Sequence, residues 1–503
     1  MRVLVTGATG YVGGRLAPRL VHAGHRVRCL TRSPGKLRDV PWAKEVEIVE
    51  GDVTDAESLY AAFKGVEIVY YLVHSLGRRD FEELDRAAAL NVAAAAAAAG
   101  VRRIVYLGGP DPDDNAGSAH LRSRHEVARI LLEGEVPAVV LRAPVIIGSG
   151  SASFEMLRHL TERLPIMITP KWVHNRIQPI AIRDVLRYLV FMASDDDWPA
   201  REVNRAFDIC GPDVLTYAEM MQRYARVARL PRRVILPTRF LSPTLSAHWV
   251  GVVTPVPNAI ARPLVASLIH DATGHEHDIA TYVPDPPEGL TGFDRAVALA
   301  LAKIRDSDVE TRWSGATWPG AMAAEPLPTD PEWSGGTLYT DNRQRPVATS
   351  PERLWRVIEA IGGENGWYSF PLAWSVRGWL DRLVGGVGLR RGRRDPHRLY
   401  VGEALDFWRV EEIVPGELLR LRAEMRLPGR AWLEMWVEPG PNGARYRQRA
   451  VFLPHGLAGH LYWAAVWPFH AVIFGGMARN IARTAERTAG APLPAYPADR
   501  LRR

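Results

Sequence analysis

Residues 6 to 13 read Thr6-Gly7-Ala8-Thr9-Gly10-Tyr11-Val12-Gly13 and follow directly on the apolar run Val3-Leu4-Val5. A strand that enters a glycine-rich turn and leaves it as a helix opens a doubly wound α/β sheet, and the turn is where a dinucleotide pyrophosphate sits. Each glycine has its own task. Gly7 makes the tight turn, Gly10 lets the backbone approach phosphate, and Gly13 lets the helix close on the strand. The N–H groups at the helix start then meet the anion, so Thr9, Tyr11 and Val12 join the glycines as candidate cofactor contacts.

Working outward, apolar strand-like runs alternate with helical ones: 25–31, 46–49, 66–73, 103–107 and 138–147. This rhythm predicts a parallel Rossmann sheet with helices on both faces. Seven consecutive alanines, Ala93 to Ala99, end at Gly100. Alanine is the best helix former and glycine a helix stop, so the run predicts a packed helix rather than a low-complexity tract. Pro18 falls inside the first helix, where it predicts a kink.

The chain of 503 residues is too long for one core and predicts two or three domains. With 47% hydrophobic and 24% charged residues it has the composition of an ordinary folded protein. The net charge of +7 is spread along the chain and leaves no nucleic-acid footprint. Cys29 and Cys210 offer neither a disulfide framework nor a zinc pattern. A reducing cytoplasm fits, as does a first strand that begins within two residues of Met1 and leaves no signal peptide.

Cofactor choice is made about 20 residues past the glycines, where an acidic residue would hold the ribose 2′-hydroxyl of NAD. Here the second strand ends in Thr31-Arg32-Ser33. A guanidinium pairs with a 2′-phosphate, so NADP(H) is favoured over NAD(H). Asp52, closing the third strand, is placed to accept from the adenine amino group.

Four features together carry a resemblance: TGATGYVG, Gly51-Asp52-Val53, Asn91 in a long helix, and Arg103-Ile-Val-Tyr-Leu107. The first 300 or so residues resemble an atypical, NmrA-like member of the short-chain dehydrogenase/reductase family. Tyr71-Leu-Val-His-Ser75, His120-Leu-Arg-Ser-Arg124 and Gln178-Pro-Ile-Ala-Ile-Arg-Asp184 go further. They resemble bacterial two-domain proteins in which such a reductase precedes a START-like domain. The resemblance implies that Val53, Leu72, Val73 and His74 run along the cofactor, that Pro144-Val145 is the nicotinamide-side turn, and that 177–184 faces the substrate.

The family's Tyr-x-x-x-Lys pair and its serine are missing. His120-x-x-x-Arg124 occupies the helical pair, and Gly108-Gly109-Pro110 stands where serines are expected. The spacing puts His120 and Arg124 on one helix face, so the imidazole is the candidate proton donor and the guanidinium the candidate holder of cofactor hydroxyls. His74, at a strand end facing the crevice, is a second candidate acid, and Asn91 completes the catalytic set. A nucleotide-sugar epimerase reading relies on the same missing pair and loses most.

From Leu236 to Ile269 charges are few, which predicts a helical cap over the sheet. The cluster His270, Asp271, His275, His277 and Asp278 lacks metal-ligand spacing, and no metal is assigned. Prolines 319, 326, 328 and 331 mark a linker, giving a Rossmann domain over 1–315, a linker over 316–335, a second domain over 336–490 and a tail over 491–503.

The second domain reads as a strand, a helix capped by Ser350 with Pro351 at its first position, an antiparallel meander and a long closing helix. With Ile361-Gly-Gly-Glu-Asn-Gly-Trp367 this resembles a START-like helix-grip (SRPBCC) fold, which implies an apolar cavity lined by Trp408, Trp432, Trp436, Trp463 and Trp467. No Asp, Glu, Lys or Arg occurs from Ala450 to Ala478, and Arg479, Arg483 and Arg487 then share one stripe. Pro454, Pro468 and three histidines interrupt the run, so a soluble fold or peripheral membrane contact is favoured over a span. Arginines 390, 391, 393, 394 and 398 are further candidates for lipid phosphates.

The whole reads as an NADP(H)-dependent oxidoreductase acting on an apolar small molecule such as a quinone, isoprenoid or polyketide-like carbonyl or alkene. The alternative is a non-catalytic NADP(H)-sensing or lipid-binding protein. Oligomeric state is not legible from the sequence.

Overall fold

The apolar run that opens the chain becomes a central strand of a seven-stranded parallel sheet, ordered β11-β6-β5-β4-β1-β2-β3. These strands are β1 (Arg2–Thr6), β2 (Arg26–Thr31), β3 (Glu47–Glu50), β4 (Ile68–Tyr71), β5 (Arg103–Gly108), β6 (Ala138–Arg142) and β11 (Arg205–Asp208). Alternation sends Val3 and Val5 into a core with Leu16 and Leu20 of helix α1 (Tyr11–His22). Leu4 points the other way, toward Phe63 of α2 (Ala56–Phe63) and Val92 of α3 (Phe81–Ala99). Burial on both faces is what the near-continuous apolar strands require.

The computed structural model describes residues 1–38, 40–75, 80–111, 118–194, 203–238, 250, 253–307, 337–362, 366–368, 398–440 and 443–487. The chain divides into two units, Met1–Gly336 and Thr337–Arg503. The proposed linker and tail, and Arg390, Arg391, Arg393 and Arg394, lie outside the described residues.

The alanine run lies within α3, and Gly100 ends it at φ +66°, a left-handed cap that a side chain would strain. Helix α1 continues through Pro18 to His22. The strand expected over 138–147 is two: β6 stops at Arg142 and β7 covers only Ile146–Ile147, with Pro144, which lacks an N–H, between them.

A second core surrounds Phe154, Met220 and Tyr224. It is built by α5 (Ala152–Arg163), α7 (Tyr217–Val227), α8 (Asn258–Ser267) and α9 (Phe293–Ser307). The expected cap is only partly helical. Leu236 belongs to strand β13 (Val234–Thr238), parallel to β8 (Ile166–Pro170); Val250, Val253 and Asn258–Ser267 are helical, and 239–249 and 251–252 lie outside the described residues.

The second unit is an antiparallel sheet ordered β14-β19-β18-β17-β16-β15, the last being the short edge strand Ala404–Leu405. Its principal strands are β14 (Tyr339–Val347), β16 (Trp408–Val414), β17 (Leu418–Ala423), β18 (Gly429–Gly440) and β19 (Gly443–Pro454). One face, with Leu421, Leu433 and Met435, packs on Phe474, Met477 and Ile481 of the closing helix α11 (Gly456–Arg487). The opposite face carries a cross-strand charge row. Arg420 meets Glu412 at 3.0 Å and Glu434 at 2.8 Å, and Arg449 meets Glu434 at 2.5 Å. Helix α10 (Pro351–Glu359) starts at Ser350 with Pro351 in its first turn, but the serine side chain makes no capping bond to the helix.

The five tryptophans do not line one space. Trp408 packs with Phe407 and Trp367, and Trp463 stacks on Phe452 and Tyr339. Trp432 and Trp436 flank Glu434 on the other sheet face, because alternation along β18 opposes them to Leu433 and Met435. Trp467 is 44% exposed. Among the described residues no single helix is long and apolar enough to cross a membrane; Gly456–His470 and Val472–Arg487 qualify only as a pair bent by 45°.

Candidate active site

The sheet order reverses between β1 and β4, and ligands of open α/β sheets sit in the crevice at such a point. Thr6 Oγ1 donates to Tyr70 O at 3.1 Å and accepts from Leu72 N at 3.2 Å, which clasps the two strand ends. Leu72 and Val73 therefore run directly past the glycine turn. Gly7 has φ +73°, and a Cβ there would lie 2.9 Å from Leu72 O. Gly10 N donates to Gly7 O at 2.9 Å to close the turn, and a Cβ on Gly13 would lie 2.3 Å from that same carbonyl. No side chain caps α1 at Gly10, and its first turn holds no carboxylate. The Tyr11 and Val12 end of the helix thus suits a pyrophosphate. The Tyr11 ring lies under the Arg15 guanidinium at 4.2 Å, and a Cβ on Gly148 would fall 2.3 Å from its hydroxyl.

Arg32 follows β2 directly and is 73% exposed, with Nη1 3.8 Å from Asp52 Oδ2. Such a long, exposed pair is weak and exchangeable. The other Asp52 oxygen accepts from Thr54 N and Oγ1, both at 2.9 Å, fixing the carboxylate beside Arg32. Asn91 is not brought to the histidines. Its amide donates to Val53 O at 3.2 Å and ties α3 to the loop after β3, a positioning contact rather than a reacting one.

His74, beyond β4, and His120, in the first turn of α4 (Ala119–Leu132), come together with ring centroids 6.4 Å apart. Behind them Arg124 Nη1 donates to Tyr106 OH at 3.2 Å, and Tyr106 stacks on Tyr71. Asp85 of α3 accepts from Ser75 N at 2.8 Å and from Ser123 Oγ at 3.4 Å, linking the His74 segment to α4. Desolvation raises the Asp85 pKa, opposed by these hydrogen bonds and by Arg124.

Both imidazoles are neutral. Desolvation, then Arg124, pulls His120 down to about 3. Desolvation, then Arg124 and His120, draws His74 below the ordinary histidine value, although the residue as a whole is exposed. The proton donor expected of His120 or His74 is thus set beside a guanidinium, which disfavours a second positive charge.

On the far side of the crevice Pro144 is half-buried and Val145 packs into the second core, its carbonyl accepting from Ile180 N at 2.9 Å. The segment 177–184 is bound up in structural bonds. Gln178 pairs with Gly211 O and Gly274 N, and buried Asp184 accepts from Thr291 N at 2.8 Å. In the histidine-rich stretch Asp271 accepts from Arg176 N, Asp278 pairs with Arg205, and His277 faces Asp285. A cavity of about 330 Å³ beside α4 includes Arg124 but neither histidine nor the glycine turn. Its Arg142 and His125 are both paired with Asp111.

Tyr71, Asp85, Tyr106 and Ser123 escaped the sequence reading. Both tyrosines sit inside apolar strand runs, and Asp85 looks like one of several acids near a helix start.

Residues 7–143 match the family described as NAD(P)H-binding, and residues 333–477 match one described as protein of unknown function (DUF2867). The chain is 29% identical over 301 residues to a (4-alkanoyl-5-oxo-2,5-dihydrofuran-3-yl)methyl phosphate reductase of Streptomyces griseus subsp. griseus, covering 58% of this chain and 93% of that protein. It is 27% identical over 307 residues to a ceramide reductase of Caulobacter vibrioides, covering 59% and 93%. A solved NADP(H) complex of a Citrobacter sp. triphenylmethane reductase is 22% identical, covers 60% of this chain and 100% of its own, and aligns with a TM-score of 0.48. The first unit of this protein therefore carries an NAD(P)H-binding Rossmann domain.

Proposed function

We propose that this protein is an NADP(H)-dependent oxidoreductase of the atypical short-chain dehydrogenase/reductase type, acting on an apolar substrate such as a quinone, isoprenoid or polyketide-like carbonyl or alkene. The second unit, read as a START-like helix-grip over 336–490, would hold or deliver that substrate. The observation that carries the reading is the pair of neutral imidazoles, 6.4 Å apart and backed by Arg124, beside a turn that only glycine fits. Relatives named as reductases, one of them of the lipid ceramide, support it.

When bound, the dinucleotide supplies hydride to the substrate carbon. The N–H groups at Tyr11 and Val12 would hold its pyrophosphate, Arg32 would release Asp52 to pair with a 2′-phosphate, and Leu72, Val73, Pro144 and Val145 would contribute further contacts. A neutral imidazole carries one N–H, which His120 would offer as a hydrogen bond toward the substrate oxygen with His74 beside it, the proton that accompanies hydride coming from solvent. The Arg124 guanidinium stabilises the negative charge that gathers there, and it does so without reorganising.

A second reading, an NADP(H) sensor without turnover, is favoured by one observation: Arg124 is bonded to Tyr106 where the family has a lysine free to serve the cofactor. Stopped-flow oxidation of NADPH with a panel of quinones and long-chain ketones separates the two. Oxidation slowed by His120→Ala supports the enzyme; tight NADPH binding without oxidation by any of them supports the sensor.

A further inference from the structure

We propose that the outer face of α11 is a docking surface for an anionic lipid bilayer. The inner face of this helix is spent on the sheet, where Phe474, Met477 and Ile481 are buried. The outer face is not needed for that core, yet it is apolar. Leu461 is 61% exposed, Phe469 68% and Val472 55%, and Trp467, which packs on Trp463 and His470, borders them at 44%. No Asp, Glu, Lys or Arg interrupts the chain from Ala450 to Ala478. Soluble surfaces scatter such side chains singly; a contiguous aromatic and aliphatic face marks an interaction site.

The residues C-terminal to that face select the partner. Within the second segment, Val472–Arg487, which is bent by 45° from the first, Arg479 and Arg483 come seven and eleven residues after Val472, close to two and three turns at about 3.6 residues per turn. Arg479, Arg483 and Arg487 are all exposed, so Val472 and the arginines share the outer face of that segment. An apolar face that runs into an arginine row fits a bilayer interface, where the apolar part sinks to the acyl boundary and the guanidinium groups reach lipid phosphates. A second copy of the helix complements it less well. Glu486 is the one acid in Gly456–Arg487, and its carboxylate accepts from Ala348 N at 3.1 Å, so pairing two such faces would leave the arginines unmatched.

The test is co-sedimentation of the full chain with vesicles of phosphatidylcholine alone or mixed with phosphatidylglycerol, at low and high salt. The wild type should bind the mixed vesicles, and added salt should weaken binding. The triple variant Leu461→Gln, Phe469→Gln, Val472→Gln should lose at least tenfold in partitioning. The triple Arg479→Gln, Arg483→Gln, Arg487→Gln should lose about fivefold per arginine on mixed vesicles and little on the neutral ones. Unchanged NADPH affinity and thermal midpoint would show that both variants fold. The proposal is overturned if the wild type ignores mixed vesicles or if the apolar triple binds them as well as wild type. It is equally overturned if that triple instead converts a dimer to a monomer in light scattering.

Discussion

The backbone N–H of Ser75 donates to Asp85 Oδ1 at 2.8 Å, so a buried carboxylate on α3 holds the residue next to His74. Through Ser123 Oγ the same carboxylate reaches the helix that carries His120 and Arg124. Removing it leaves a buried N–H without its acceptor, at a cost of about 1–3 kcal/mol. Asp85→Ala should therefore lower kcat about tenfold while NADPH affinity stays near wild type, and Asp85→Asn, which keeps an acceptor oxygen, should recover most of the rate. Steady-state kinetics beside cofactor titration check this; an equal loss in both would mean that Asp85 supports the fold and not the histidine pair.

Arg32 is the lever on cofactor choice. Its exposed position and long contact with Asp52 leave the guanidinium available, and a charge-assisted bond to phosphate is worth about 1.5–3 kcal/mol. Arg32→Ala should weaken NADPH binding by about 10–100-fold and leave NADH binding nearly untouched. Calorimetric titration with both dinucleotides decides it, and equal losses would remove Arg32 from the 2′-phosphate.

Glycines near the turn differ in what a methyl group would meet. At Gly13 it would lie 2.3 Å from the Gly7 carbonyl, whereas at Gly35 nothing lies within 4 Å. Gly13→Ala should cost about 1–3 kcal/mol and cofactor binding with it, while Gly35→Ala should change stability by no more than about 0.5 kcal/mol. Denaturant melts of the two variants, each with and without NADPH, give the comparison.

The neutral imidazoles make stability pH-dependent with a definite sign. In the unfolded chain a histidine binds its proton below about 6.5, but folded His120 does so only near about 3. Between these values the unfolded chain holds more protons, so the His120 contribution is present at neutral pH and is lost as pH falls below about 6.5. The melting temperature of His120→Gln should fall less steeply than that of wild type between about pH 6.5 and 4. Parallel slopes would show that His120 is protonated in the folded protein.

Much of the first unit was legible because its signals are local. Gly7, Gly10 and Gly13 act within one turn, and the alternation of Val3, Leu4 and Val5 states its own period. His74 and His120 were named from separate segments, and the parallel sheet brings them together. Their charge state was not legible, because it depends on burial and on Arg124 turning toward Tyr106, which no spacing encodes. The tie from Asn91 to the loop after β3 was not legible either: a polar residue on a helix can hold that helix to a neighbouring loop, and spacing does not say so. In the second unit the tryptophans misled, since residue type says little about which face of a strand a side chain takes. The neighbours of Trp432 and Trp436, alternating with Leu433 and Met435, carried that information.

The charge row across the second sheet bears on how its strands find their partners. A hairpin zipped one residue out of step would turn Glu434 and Arg449 under α11, among Phe474 and Met477, and push Leu433 and Met435 outward. Misaligned intermediates would thus be rejected by the cost of dehydrating unmatched ions. The loops that join these strands are then free to diverge in length and wording, because the alignment is written into the strands themselves.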